Sequence, residues 1–330
     1  MKLKLRTKQL LQSLGLGLVL PCALIWMMSE SFGPVEPQEM PSQEQTSPTQ
    51  EPMQKPISRK ENTISVLNAS GDKKKMDLEA YIVNVILGEV STGFHPDALK
   101  AQAVAARTYT MYCIETLNKH TDGAVCTDHR CCQAYRDPET YLQEGGTEAG
   151  LEKVRSAVEQ TAGEVLCYDS QLICATYFAS SGGITEDALE VWGESYPYLQ
   201  PVTSPGEEEC GYYSQQTTYT PRELQEKLGI KLQGKPSSWF GMVTYTAGGG
   251  VDLMRIGGRL YTGVELRKLL GLRSTVMTIT PTEEQVIIET RGYGHRVGMS
   301  QHGANAMAET GNDYRQILMH YYTDTTLELL

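Results

Sequence analysis

The sequence predicts a mixed α/β (α+β) fold: a single large extracytoplasmic domain over residues 61–330, behind an N-terminal transmembrane helix and a linker. Three observations predict it. Apolar residues recur at spacings of three and four in several segments, as in half-buried helices, while other segments alternate or carry two-residue turn signals, as in strands and hairpins. No internal repeat and no second linker divides the chain after Glu61. An apolar content of 40% is enough to bury a core, so a globular body of about 270 residues is expected, large for a single core. The net charge of −11 argues against wholesale binding to nucleic acid, which needs basic patches to displace counterions.

The N-terminus reads as an anchor. Lys2, Lys4, Arg6 and Lys8 precede a mostly apolar run from about Leu10 to Met28, and the first acid is Glu30. Roughly 19 such residues approach the ~20 that span a bilayer, and the basic flank belongs on the cytoplasmic side. Residues 1–29 are therefore expected to be a cytoplasmic tip and single-pass anchor in the cell membrane. A cleaved signal peptide is the competing reading, but no small-x-small cleavage pattern follows the run. A lipoprotein site at Cys22 fits poorly behind Pro21. Residues 30–60, rich in Pro, Gln, Glu and Ser, have too little to bury to offset their ordering entropy and are expected to form a disordered, semi-extended tether.

Alternation at Ile64 and Val66 followed by a turn over Ala69 to Asp72 predicts a strand and turn. Asp77 is placed to cap a helix whose stripe is Leu78, Tyr81, Ile82, Val85 and Ile86, ending at Gly88. Pro96 opens a second helix that runs to about Asn118, with a small-sided stripe of Leu99, Ala103, Ala106, Thr110 and Cys113. A third helix fits residues 151–163. Asp169 and Ser170 then form a two-residue hairpin turn. Residues 217–280 mix short strands with a helical segment near Leu224, and residues 276–292 read as another hairpin. A last helix places Tyr314, Ile317, Leu318 and Tyr321 on one face behind an Asn312 cap.

Glu89 stands alone between the first two helices. Unpaired carbonyls at the end of the first helix, together with partial burial, would disfavour its anion and raise its pKa toward neutrality, as a general acid requires. Position alone more often marks an ordinary surface glutamate near a helix end.

Four blocks in order, Gly88 to Tyr109, YFASSGG at Tyr177 to Gly183, VWGESYPYL at Val191 to Leu199 and RGYGHRVGMSQHGA at Arg291 to Ala304, resemble the stage II sporulation protein D family, and the likeness runs from about Thr63 to the end. It implies a membrane-anchored lytic transglycosylase of peptidoglycan, acting during spore engulfment on glycan from which an amidase has removed the stem peptides. The catalytic acid falls on Glu89. One carboxylate would suffice because the carbon-six hydroxyl of N-acetylmuramic acid attacks its own anomeric carbon, whereas ordinary glycoside hydrolases need two carboxylates. The resemblance also implies stage II sporulation proteins P, an amidase, and M, a membrane scaffold, as partners. An alternative is a non-catalytic cell-wall-binding enhancer of a partner amidase.

The same blocks supply substrate-binding candidates. Ser180, Ser181, Gly182 and Gly183 would offer amides and hydroxyls to sugar groups, or simply form a turn. Tyr177 and Trp192 would stack on sugars or sit in the core, and the resemblance turns His295 and Gln301 toward the cleft. Gln102 and Arg107 lie about 140° apart around the second helix; Arg107 is expected to orient Glu89 or bind the lactyl carboxylate.

His120, Cys126, His129, Cys131 and Cys132 crowd thirteen residues, and thiolate with imidazole suits tetrahedral zinc. Disulfides or free thiols are the alternative. The resemblance maps a structural Zn2+ onto His120, Cys126, Cys131 and Cys132, with Cys131 where a histidine is expected and His129 two residues earlier, so that either completes the set. Cys167 and Cys174 are diagonal neighbours in their hairpin, too far apart for comfort, and are expected not to pair with each other.

Overall fold

A computed structural model describes residues 63–330 apart from 122. The anchor and tether expected over residues 1–29 and 30–60 lie outside the described residues, and among those described no helix is long and apolar enough to cross a membrane.

Strands β1 (Thr63–Leu67) and β2 (Lys73–Asp77) form a hairpin, and β1 also pairs in parallel with β3 (Ala124–Cys126). The Asn68 side chain accepts the backbone N–H groups of Ser70 and Asp72 and closes the turn. Asp77 caps α1 (Leu78–Glu89) by accepting from the Ala80 N–H, as expected. This helix does not stop at Gly88. A side chain there would meet the backbone of Tyr135 at 2.7 Å and of Ala134 at 2.8 Å, so Gly88 permits a loop to press against the last turn.

Helix α2 (Pro96–Glu115) is buried on two faces, which its run of alanines permits. Leu99, Ala103, Ala106 and Cys113 join a first core with α1 and with α4 (Glu148–Gln160), which follows the short α3 (Pro138–Gln143). Ala98, Ala101, Val104 and Ala105 join a second core. The expected end at Asn118 is overtaken by a positive φ of 43° at that residue, and α4 starts earlier than expected because Thr147 caps it by accepting from Gly150 N–H.

The second core is built on β4 (Glu164–Tyr168), β5 (Gln171–Leu172), β6 (Tyr177–Phe178) and α5 (Ala188–Trp192). Asp169 and Ser170, both with positive φ, make the expected tight turn. Cys167 and Cys174 are unpaired.

A third core belongs to the intervening stretch: β7 (Ser214–Tyr219), α6 (Pro221–Leu228), β8 (Phe240–Tyr245), β9 (Val251–Ile256), β10 (Arg259–Thr262), α7 (Gly263–Leu270), β11 (Val276–Pro281) and β12 (Val286–Arg291). Its sheets are ordered β11-β12-β7 and β10-β9-β8. Capping boxes at Thr220 with Glu223 and at Thr262 with Glu265 start its two helices. Burial thus divides among three clusters in the described residues, which is how the chain avoids one oversized core.

The chain then returns to the second core through β13 (Met299–Ser300), paired in parallel with β6, and α8 (Gln301–Glu309), which Ser300 caps as expected. Helix α9 (Tyr314–Tyr321) is capped by Asp313 rather than Asn312, since Asp313 and Gln316 bond each other's N–H groups. Strand β14 (Thr326–Leu329) closes against β4.

Candidate active site

The end of α1, the loop before α3, β6, α5 and the start of α8 meet around a cleft of about 810 Å³. Glu89, the last residue of α1, lines it. The loop that Gly88 admits brings the Ala134 N–H to Glu89 Oε1 at 2.7 Å. Burial pushes the carboxyl group above the usual glutamate range, and the Ala134 N–H opposes that rise. Glu89 is the only carboxylate lining the cleft among the described residues.

Trp192 at the end of α5, also in the lining, is 40% exposed and packs on His295 at 5.3 Å between ring centroids, with Phe178 on the same imidazole at 5.5 Å. Burial and the charge of Arg267 push His295 down to about 4, so its ring is neutral near pH 7. Its Nδ1 accepts the Val297 N–H at 3.2 Å, which puts the proton on Nε2. Tyr177 and Gln301 also line the cleft beside Glu89, and the Gln301 Nε2 is buried with no partner among the described residues.

At the cleft's rim, donor atoms of His120, Cys126, Cys131 and Cys132 lie within 4.8 Å of one another. His120 Nε2 is 3.4 Å from Cys131 Sγ and 3.5 Å from Cys132 Sγ. A tetrahedral zinc would separate its donors by roughly 3.5–3.8 Å, so these four residues fit the metal. His129 stands apart, 72% exposed beside Asp128, because the Asp128 carbonyl takes both the Cys131 and Cys132 N–H groups and folds the two cysteines inward.

Residues 68–168 match the family model described as stage II sporulation protein, SpoIID. The stage II sporulation protein D of Bacillus subtilis (strain 168) is 36% identical over 264 residues, covering 78% of this chain and 76% of that protein. The chain belongs to the stage II sporulation protein D family. The Bacillus amyloliquefaciens protein of the same name is 35% identical over 271 residues, 80% of this chain and 78% of that one. A Bacillus subtilis (strain 168) protein named amidase enhancer is 30% identical over 301 residues, covering 74% of this chain and 39% of its own.

Several residues expected to bind substrate in this family member are placed elsewhere. Arg107 is fully buried, with its Nε 3.0 Å from Glu79 and its Nη1 donating to the Glu164 carbonyl at 3.0 Å. It ties α1, α2 and β4 together and does not reach Glu89. Gln102 is also buried away from the cleft lining, its amide without a partner among the described residues. Ser180 and Ser181 are buried on the Glu207 carboxylate, which also takes the Ser181 N–H at 2.7 Å. Gly182, at positive φ, abuts the Arg291 backbone, and Gly183 continues that turn. These four residues form a structural corner, and it is the preceding Thr176, Tyr177, Phe178 and Ala179 that reach the cleft.

The cleft contains groups that the sequence reading missed. Tyr212, Tyr293, His302 and Phe94 form a chain of ring contacts from 5.1 to 5.6 Å along one wall. Phe94 follows α1, Tyr212 precedes β7, Tyr293 follows β12 and His302 lies on α8, so no local spacing announced their meeting. The Ala134 N–H was foreshadowed only by Gly88, whose lack of a side chain was read as a helix stop.

Proposed function

We propose that this protein is a peptidoglycan lytic transglycosylase that cleaves the MurNAc–GlcNAc β-1,4 bond of peptide-stripped strands during sporulation engulfment. The observation that carries this reading is a carboxylate that is solitary in the cleft among the described residues, partly buried and shifted toward its neutral form. Hydrolysis by either ordinary route asks for a second carboxylate; intramolecular attack does not. Protonated Glu89 gives its proton to the glycosidic oxygen as the bond from carbon one breaks and its electron pair leaves with that oxygen. The carbon-six hydroxyl then closes on carbon one, and its proton goes to the Glu89 carboxylate, restoring the acid. The aromatic walls at Trp192 and at Tyr212 with Tyr293 supply faces for sugar rings.

His120, Cys126, Cys131 and Cys132 would hold a structural Zn2+, whose four protein ligands leave it no open position. It would brace the loop that carries the Ala134 N–H. Replacing Cys126 by Ser is expected to remove stoichiometric zinc, measured by atomic absorption, and to lower the melting temperature; zinc-free wild-type protein of full stability contradicts this assignment. The anchor over residues 1–29 would hold the domain outside the membrane, with stage II sporulation proteins P and M as partners.

Glycan strands stripped of stem peptides, incubated with the protein and analysed by mass, test the reaction. Anhydro ends are expected, and reducing ends would mean hydrolysis. The relative named amidase enhancer supports a second reading, a wall-binding module that stimulates an amidase. Binding without cleavage, together with faster release of peptides by an added amidase, would favour it.

A further inference from the structure

We propose that a hydrogen-bond chain of fixed polarity, running from the Ala106 carbonyl through Thr110 and Gln133 to Tyr177, makes Tyr177 an acceptor toward Glu89 and so holds the proton on that carboxyl group. The inference rests on the reading of Glu89 as the acid and assigns three positioning residues to it.

The direction of the chain follows from one group that can only accept. The main-chain carbonyl of Ala106 has no hydrogen, so the Thr110 hydroxyl, 2.8 Å away, donates to it. That leaves Thr110 Oγ1 with lone pairs alone, and the Gln133 Nε2, also at 2.8 Å, donates to it. The Gln133 amide is thereby oriented with Oε1 toward Tyr177, whose hydroxyl donates its single hydrogen at 2.6 Å. Turning the amide over would leave either the Ala106 carbonyl or the Gln133 carbonyl facing Thr110 oxygen without a hydrogen between them. Thr110 and Gln133 are buried, so no solvent exchange reverses the order.

Tyr177 lines the cleft beside the Glu89 carboxyl group. With its hydrogen committed to Gln133 it has only lone pairs left to offer; a hydroxyl donating to the carboxylate would instead lower the Glu89 pKa. A neutral carboxylic acid can donate to Tyr177, whereas a carboxylate, which only accepts, gains nothing. The Ala134 N–H already occupies Oε1, so the acid hydrogen belongs on Oε2. Both half-reactions benefit. Before cleavage the acid form is the satisfied one; once the proton has gone to the glycosidic oxygen, the carboxylate faces a hydroxyl that cannot stabilise it and remains a strong base for the carbon-six hydroxyl.

The charged and titratable groups that line the cleft with Glu89 and Tyr177 are Lys119, Arg130, the imidazoles of His129, His295 and His302, the thiols of Cys131 and Cys132, and the hydroxyls of Tyr109, Tyr212 and Tyr293. All are unchanged by substitutions within the chain, so a shift between variants reports the chain itself.

The test is titration of the Glu89 carboxyl carbon by NMR in the full protein carrying carbon-13 glutamate, without glycan, with Glu89→Gln used to assign the signal. Tyr177→Phe removes the acceptor and is expected to lower the Glu89 pKa by about one pH unit. Gln133→Leu frees the tyrosine hydrogen to turn onto the carboxylate and is expected to lower it at least as far. Thr110→Val is expected to act in the same direction, and Thr110→Ser, which keeps the hydroxyl, to restore the wild-type value. A rise in Tyr177→Phe means that the hydroxyl donates to Glu89, and an unchanged value means that it does not engage it; either result overturns the proposal. Because no substrate is present, failure to form anhydro ends would reject the transglycosylase reading and leave this result standing, and the converse also holds.

Discussion

Glu207 and Glu89 are both enclosed by residues of family-like motifs, yet they are wired in opposite ways. Glu207 receives the hydroxyls of Ser180, Ser181 and Ser204 and the Ser181 N–H, so its two oxygens are surrounded by donors. Glu89 receives the Ala134 N–H on one oxygen and faces the open cleft. Nearby, Glu186 is likewise consumed: Arg296 lies 3.5 Å away, Thr246 donates to it at 2.6 Å, and the Arg296 guanidinium also bonds the Ser181 and Ile184 carbonyls. A buried carboxylate supplied with every donor it can accept is a girder. One left short of donors is reactive, because its neutral form is the comfortable one.

The largest expected effect separates the two glutamates by activity. Glu89→Gln keeps the shape and loses the transferable proton, so the rate of anhydro-end formation is expected to fall about a thousandfold, with glycan binding retained. A variant that still released such ends at the wild-type rate would falsify the assignment. Glu207→Ala should do the reverse. It strands three buried serine hydroxyls and is expected to cost about 3 kcal/mol or more of stability by urea unfolding, while the residual folded protein keeps the elevated Glu89 pKa. If Glu207→Ala melted like the wild type, the serine corner would not be the support described above.

This contrast also marks what could be read from the sequence. Helix stripes, the Asp169–Ser170 turn and the lone carboxylate were legible because each depends on neighbours within a few residues. The roles of Ser180, Ser181 and Arg107 were not. A serine beside a glycine pair reads the same whether its hydroxyl meets a sugar or Glu207, which lies 26 or 27 residues away. An arginine on a helix likewise does not disclose that its partner is Glu79, 28 residues earlier. The cysteine knuckle was legible as a cluster, but only the inward fold of Cys131 and Cys132 separates a ligand from the exposed His129.

The pH dependence sharpens the comparison further. Burial raises the Glu89 pKa on folding, so the folded state binds its proton more tightly than the unfolded chain does. Its contribution to stability is fully present below the unfolded value and is lost as pH rises through the folded one. Glu89→Gln is therefore expected to be more stable than the wild type at neutral pH, with the difference vanishing below about pH 4, beneath the ordinary glutamate value. Paired thermal melts across that range would show it, and a variant less stable at pH 7 would contradict the burial argument. Activity should decline on the same alkaline limb, as the acid form is depleted.

The smallest expected effect concerns which strands the cleft prefers. Of the cations lining it, Arg130 is already paired with Asp128 at 2.9 Å. Lys119 instead holds neutral oxygens, the Cys131 carbonyl and the Tyr109 hydroxyl. A lactyl group without its stem peptide carries a free carboxylate, which a peptide bond would neutralise, and a lysine bound among the described residues only to neutral acceptors can take it with no ion pair there to break. Because the site opens to solvent, the pair is worth little, about fivefold in affinity at low salt. Lys119→Met is expected to weaken binding of stripped strands by that factor, to leave peptide-bearing strands unaffected, and to lose its effect in high salt, where the charge is screened. An equal loss on both kinds of strand would place Lys119 among the groups that shape the loop rather than those that select the substrate.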